Sequence, residues 1–200
     1  MTLKDFRDLL QQHSKEIEDL TNRRMPVIVG QMAVSHFKEN FRQSGFVNNG
    51  LQPWQKAKRL GTGKSAASNY KTLTSGRTHL MSSVKYNPGN AQVVISNNVP
   101  YAAIHNEGGP VNTHPAVTPK MRKFAWAKYY EALNGQKPGK DVDVSIPQDA
   151  VRWRALALTK KTKLDIKFMM PKRQFIGESK ELTDKINAKW ESEISKILNI

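Results

Sequence analysis

Two hundred residues suffice for one domain of ordinary size or two small ones, and a hydrophobic content of 38% supplies one core with surface or loop left over. The chain contains no cysteine, which excludes a disulfide scaffold, a thiolate zinc site and a cysteine nucleophile. Lys and Arg number 32 against 17 Asp and Glu, and the net charge of +15 directs the chain toward nucleic acid, an acidic membrane surface or an acidic protein face.

The N-terminal segment carries Leu3, Phe6, Leu9, Leu10, Ile17 and Leu20 at helical spacing, with His13 on the same stripe and Thr2-x-x-Asp5 resembling a capping box. Its charges leave no apolar signal segment, and no apolar run nears the roughly 18 residues of a membrane-spanning helix. A soluble protein made in a cytoplasm is the expectation. Thr21-Asn22 and Pro26 predict a break and a restart, because proline suits a first helical turn. The second helix should run to about Phe41 and bury Val29, Ala33, Phe37 and Phe41. From Ser44 to Thr74 the pattern fails; glycines, Pro53 and small polar residues predict a long loop anchored by Trp54, and loops of that length are usually functional.

Ser83-Val84-Lys85-Tyr86 and Gln92-Val93-Val94-Ile95 flank Pro88-Gly89-Asn90 and predict a β-hairpin. Pro100 to His105 is compact and apolar, and Gly108-Gly109-Pro110 ends it. Helical spacing resumes from Val117 to Leu133, a surface loop is expected over Pro138 to Pro147, and a short helix over Gln148 to Leu158. Lys163 to Met169 alternates as a strand with a basic face opposite Leu164, Ile166 and Phe168. Leu182, Ile186, Trp190, Ile194, Ile197 and Leu198 define a C-terminal amphipathic helix.

The charge is unevenly placed. Residues 1–39 hold six basic and six acidic side chains, and residues 174–200 carry a net −1. Between Asn40 and Asn106 there are eight basic side chains and no acid, and residues 150–173 add a net +7. Lys56, Lys58, Arg59 and Lys64 beside Trp54 and Tyr70, and Arg152 and Arg154 around Trp153, could track a phosphate backbone with aromatic stacking. An acidic protein partner or a solvated face accounts for the same clusters.

No constellation points to catalysis. Gly61-Thr62-Gly63-Lys64-Ser65 echoes a P-loop, but Lys58 stands where the first glycine is required and no buried strand precedes it. His105-Asn106-Glu107 echoes the zinc deaminases, whose cysteine pair this chain lacks. Asp141 and Asp143 read as solvated turn residues. No catalytic residue, metal ligand or cofactor is assigned.

The order of the short motifs is more specific than any one of them. A helical segment ends in Asn40-Phe41-Arg42, and Gly50-Leu-Gln-Pro-Trp54 follows. Next come Leu73-Thr-Ser-Gly-Arg-Thr-His-Leu80-Met-Ser-Ser83, the hairpin and Val99-Pro-Tyr-Ala-Ala-Ile-His-Asn-Glu-Gly-Gly109, and last Met170-Pro-Lys-Arg-Gln-Phe-Ile-Gly177. In this order the chain resembles the phage virion morphogenesis family, the tail-completion or head–tail joining proteins of long-tailed bacteriophages. The likeness departs at 111–169, which reads as a longer insertion within one domain spanning 1–200.

The resemblance implies an α+β fold: a small antiparallel sheet packed against the N-terminal helical segment and the C-terminal amphipathic helix, with the long basic loop at 44–74. It implies a structural virion protein and no enzyme, a ring of this chain, expected to be a hexamer, at the neck or tail end. Neighbouring connector, tail-terminator or tail-tube proteins would be its partners, with transient contact to packaged DNA and none to membrane. The motif residues would then be architectural. Gly76 belongs to that set, and Gly108 and Gly109 would permit a turn that a Cβ hinders. Tyr101 and His105 would share a helical face, Arg173 would cap carbonyls or pair with a carboxylate, and Phe175 would plug the core beneath the last helix. Most of the basic side chains would meet acidic faces of neighbouring rings. The alternative is a sequence-independent nucleic-acid-binding protein using 42–85 and 152–173.

Overall fold

Helical periodicity at the two ends of the chain becomes two long helical segments in the computed structural model, which describes residues 2–61, 66–133 and 146–199. The first helix, α1, spans Leu3–Asp19. Thr2 Oγ1 accepts from the Asp5 amide at 3.2 Å and the Thr2 amide donates to Asp5 Oδ2 at 2.8 Å, a complete capping box. The expected break at Thr21-Asn22 does not occur. The helix continues through a π-turn, Leu20–Arg24, into α2, Met25–Gln43. Proline at position 26 leaves the Asn22 carbonyl without its helical donor, and the Ala91 amide, from a distant turn, takes that place at 3.2 Å. The amide of Met25 reaches back to the Leu20 carbonyl, the longer bond of a π-turn. Proline thus alters the hydrogen bonding locally and leaves the helix continuous.

The chain divides into two compact units, Met1–Gly109 with Met170–Ile200, and Pro110–Met169. In the first unit, residues 45–53 depart from the expected loop. Gly45–Val47 (β1) pairs antiparallel with Leu51–Pro53 (β2), and Asn49 (φ 53°) and Gly50 (φ 97°) make the turn. Among the described residues that follow, a 3-10 turn at Ala66–Ser68 precedes a short helix at His79–Ser82 (α3). Val84–Gly89 (β3) and Gln92–Asn97 (β4) form the expected hairpin, turning at Asn90-Ala91, one to two residues later than the sequence suggested. This hairpin lies across α2. Gly30 makes the approach possible, since a Cβ there would stand 2.2–2.9 Å from atoms of the Tyr86 ring. Ala102–Glu107 forms α4 and Lys180–Leu198 forms α7. The core joins Phe37 and Phe41 of α2, Phe46, Trp54, Leu80, Val84 and Phe175.

Gly109–Thr113 (β5) pairs with Ile166–Met170 (β6), and all but the outermost residue of each strand lies in the second unit. Pro119–Ala132 (α5) and Gln148–Leu158 (α6) pack through Tyr129, Leu133 and Ala150. Thr118 caps α5 by accepting from the Met121 amide, and Arg122 donates to the carbonyls of Ala157 and Thr159. The alternation expected from Lys163 becomes strand only from Ile166, and Ile166, Phe168 and Met169 are all exposed. Asp141, Asp143 and most of the loop expected at 138–147 lie outside the described residues. The fold is therefore α+β, and the described residues form three two-stranded sheets where the sequence suggested one small sheet. Among the described residues no helix is long and apolar enough to cross a membrane.

One polar residue is buried within the α7 stripe. Glu193, with 7% of its side chain exposed, accepts from Arg24 Nη2 (3.0 Å), Lys189 Nζ (2.9 Å) and Lys196 Nζ (2.7 Å). The bonds from Lys196 and Lys189 hold its carboxyl down at about 2, against 4.5 for an ordinary glutamate. The stabilisation this gives is present above pH 4.5 and is lost as pH falls from there toward 2. Melting temperatures across that window should fall more steeply for the native protein than for Glu193→Gln; parallel curves would show that the cluster contributes nothing to pH stability.

Candidate functional site

Residues 173–176 pass through the interior of the first unit without belonging to a helix or a strand, so their main-chain polar groups need other partners. Three elements supply them. The Arg173 amide donates to the His105 carbonyl at the end of α4 (2.8 Å). Trp54, just after β2, donates its indole N–H to the Gln174 carbonyl at 2.7 Å. Asn106 of α4 accepts from the Phe175 and Ile176 amides at 2.9 and 3.0 Å with a single Oδ1. Asn40 of α2, fully buried, donates to the Phe175 carbonyl at 3.2 Å and accepts from the Val47 amide of β1 at 3.2 Å.

Ring packing reinforces these bonds. Phe175, 1% exposed, meets Phe41 at a centroid distance of 5.0 Å, and Trp54 meets Phe41 edge to face at 5.5 Å. Arg173 is buried and sends Nε to the Gln55 carbonyl at 2.9 Å, with Nη1 3.7 Å from Met170 Sδ. Burial, then the nearby Arg59 charge, pulls its pKa below the ordinary guanidinium value. Tyr101 and His105 meet edge to face at 5.9 Å. Burial, then Arg173, lowers the pKa of His105, whose buried Nδ1 has no hydrogen-bond partner among the described residues. Gly108 has φ 72°, and a Cβ there would lie 2.7 Å from the Lys172 amide nitrogen. Any larger residue would push residues 170–172 away from α4.

The structure thus brings together Trp54, Tyr101, His105, Gly108, Gly109, Arg173 and Phe175, with Gly109 continuing the turn at φ 121°. The other named residues lie elsewhere. Gly76 faces the Tyr70 hydroxyl, where an added Cβ would meet the oxygen at 2.8 Å. Lys56 and Lys58 are exposed, Arg152 and Arg154 are exposed on α6 of the second unit, and Lys64 lies outside the described residues. Arg59 turns inward, with Nη2 donating to the Lys71 and Thr74 carbonyls at 3.1 and 3.0 Å. Lys71 reaches the Arg42 carbonyl at 2.8 Å. Arg59 and Lys71 therefore help to shape the basic stretch itself.

Asn40 and Asn106 are the residues that sequence reasoning missed. Both lie inside motifs that were singled out, yet an asparagine on a helix carries no sign of whether its amide faces water or a distant main chain. Replacing Asn106 with alanine leaves two amides without their acceptor and should cost about 2–6 kcal/mol, at about 1–3 kcal/mol for each orphaned group. Urea unfolding measures this; a loss under about 0.5 kcal/mol, the scale of an ordinary surface change, would contradict it.

A family model described as the phage virion morphogenesis family matches residues 2–195, nearly the whole chain. Neither the curated proteins nor the solved structures gave a match.

Proposed function

The chain belongs to the phage virion morphogenesis family, and from that premise we propose that it is a non-enzymatic virion subunit that closes into a ring at the head–tail junction or tail end. Its own copies would be its first partners, expected to number six, and connector, tail-terminator or tail-tube proteins its neighbours. The observation that carries this reading is the family match over residues 2–195. The architecture of the motif cluster supports it. Trp54, Asn106, Asn40 and Arg173 all direct polar atoms at their own main chain, an arrangement suited to holding a shape.

Residues 40–106 carry eight basic side chains and no acid, so stacked rings would present concentrated positive charge. Lining a DNA channel with all of it would hold phosphates through counterion release and oppose the sliding that ejection requires. Acidic faces of neighbouring proteins are the better match for the outward-facing members. Because Arg59 shapes the loop, the discriminating variant leaves it alone. Lys56→Glu should reduce head–tail joining by about tenfold, through like-charge contact at the interface, with the melting temperature unchanged. Normal yields of joined particles from this variant, counted by electron microscopy, would refute this docking role.

A second reading draws on Arg154, Lys160, Lys161 and Lys163, all exposed. It is sequence-independent contact with packaged DNA, and it requires an affinity that falls steeply with salt.

A further inference from the structure

Among the described residues, the first three turns of α1 present an exposed apolar surface. Leu3 is 91% exposed, Phe6 49% and Leu10 52%, and no residue of α1 is buried. Further along, Ile17 becomes half-buried and Leu20 fully buried. The same unit carries an open groove of about 490 Å³, lined by Met25, Pro26 and Val29 of α2, Val93 of β4, and Ile186 and Trp190 of α7. Leu3, Phe6 and Leu10 stand at i, i+3 and i+7, the spacing with which a helix seats anchors in an apolar groove.

Chain geometry forbids the two from meeting within one molecule. The helix is continuous from Leu3 to Gln43, so Phe6 sits about 28 Å along it from Met25, at 1.5 Å per residue. Charge also selects the occupant. Two copies at +15 repel each other over most of their surfaces, but residues 1–39 have no net charge and residues 174–200 carry −1. The helix and most of the groove lining come from those two stretches, where copies can approach without that repulsion.

We propose that α1 docks in trans, with Leu3, Phe6 and Leu10 seated in the groove formed by α2, β4 and α7 of a second copy of this chain. This deepens the ring reading and rests on it. The contact is head-to-tail, joining different surfaces on the two copies, and a repeated contact of that kind closes into a ring or extends as a filament.

The absence of native cysteine makes the test clean. Phe6→Cys and Gln92→Cys alter two exposed positions, one on the helix and one at the groove rim. They are too far apart in one copy for a disulfide, which needs Cα atoms within about 7 Å. Oxidising the full-length double variant should give a ladder of linked multimers that reductant collapses, and neither single variant should give it. Light scattering should show Phe6→Glu shifting from multimer to monomer mass with circular dichroism unchanged. A multimer that survives Phe6→Glu, with no ladder from the double variant, overturns this contact and leaves the ring reading standing. A linked dimer from Phe6→Cys alone overturns it in favour of paired α1 helices. A native chain that is monomeric at every concentration overturns both.

Discussion

The irregular main chain at residues 173–176 is the constraint around which the first unit is organised. A segment with neither helical nor strand partners can enter a core when its amides and carbonyls are answered one by one, because each orphan costs about 1–3 kcal/mol. Here the His105 carbonyl, the Trp54 indole and the amides of Asn40 and Asn106 answer them. Those groups come from α4, the exit of the first hairpin and α2, so the segment fixes three elements relative to one another. Gly108 follows from the same constraint: only a residue without a Cβ lets residues 170–172 pass so close to the end of α4. Phe175 then fills the space against Phe41, and polar satisfaction and apolar packing select the same register.

The basic stretch follows a related logic. In water a row of lysines and arginines is a docking surface, but a long stretch with little helix or strand has many carbonyls to satisfy. Arg59, Lys71 and Arg173 donate to carbonyls at residues 71, 74, 42 and 55. Part of the +8 thus builds the platform, and exposed Lys56 is carried on it. Net charge alone could not separate these uses, because a guanidinium that caps a carbonyl counts the same as one facing a partner.

Long, periodic elements were legible in the sequence. The start of α1 follows from its capping box, the spans of α5, α6 and α7 from apolar spacing, and the β3–β4 hairpin from its two alternating runs. What was not legible depended on contacts distant in sequence. Pro26 reads locally as a break, and the donor that satisfies Asn22 comes from Ala91, across the hairpin. The β1–β2 hairpin has strands of three residues, too short for a period to show. Glu193 interrupts no pattern on α7, and its burial makes sense once Arg24 stands opposite. The motif order pointed to the right family, while the role of Asn106 required knowing which main chain passes beside it.

Hydrogen exchange resolved at single amides tests the organising role of residues 173–176 most directly. Phe175 and Ile176 lie in no helix or strand, yet both donate to a half-buried Asn106 oxygen. If this segment holds the unit together, their amides exchange only when the unit opens globally, as slowly as those of the buried Ala33 and Phe37 within α2. Exchange at the rate of an exposed loop amide would mean that the segment opens by itself and that the core stands without it.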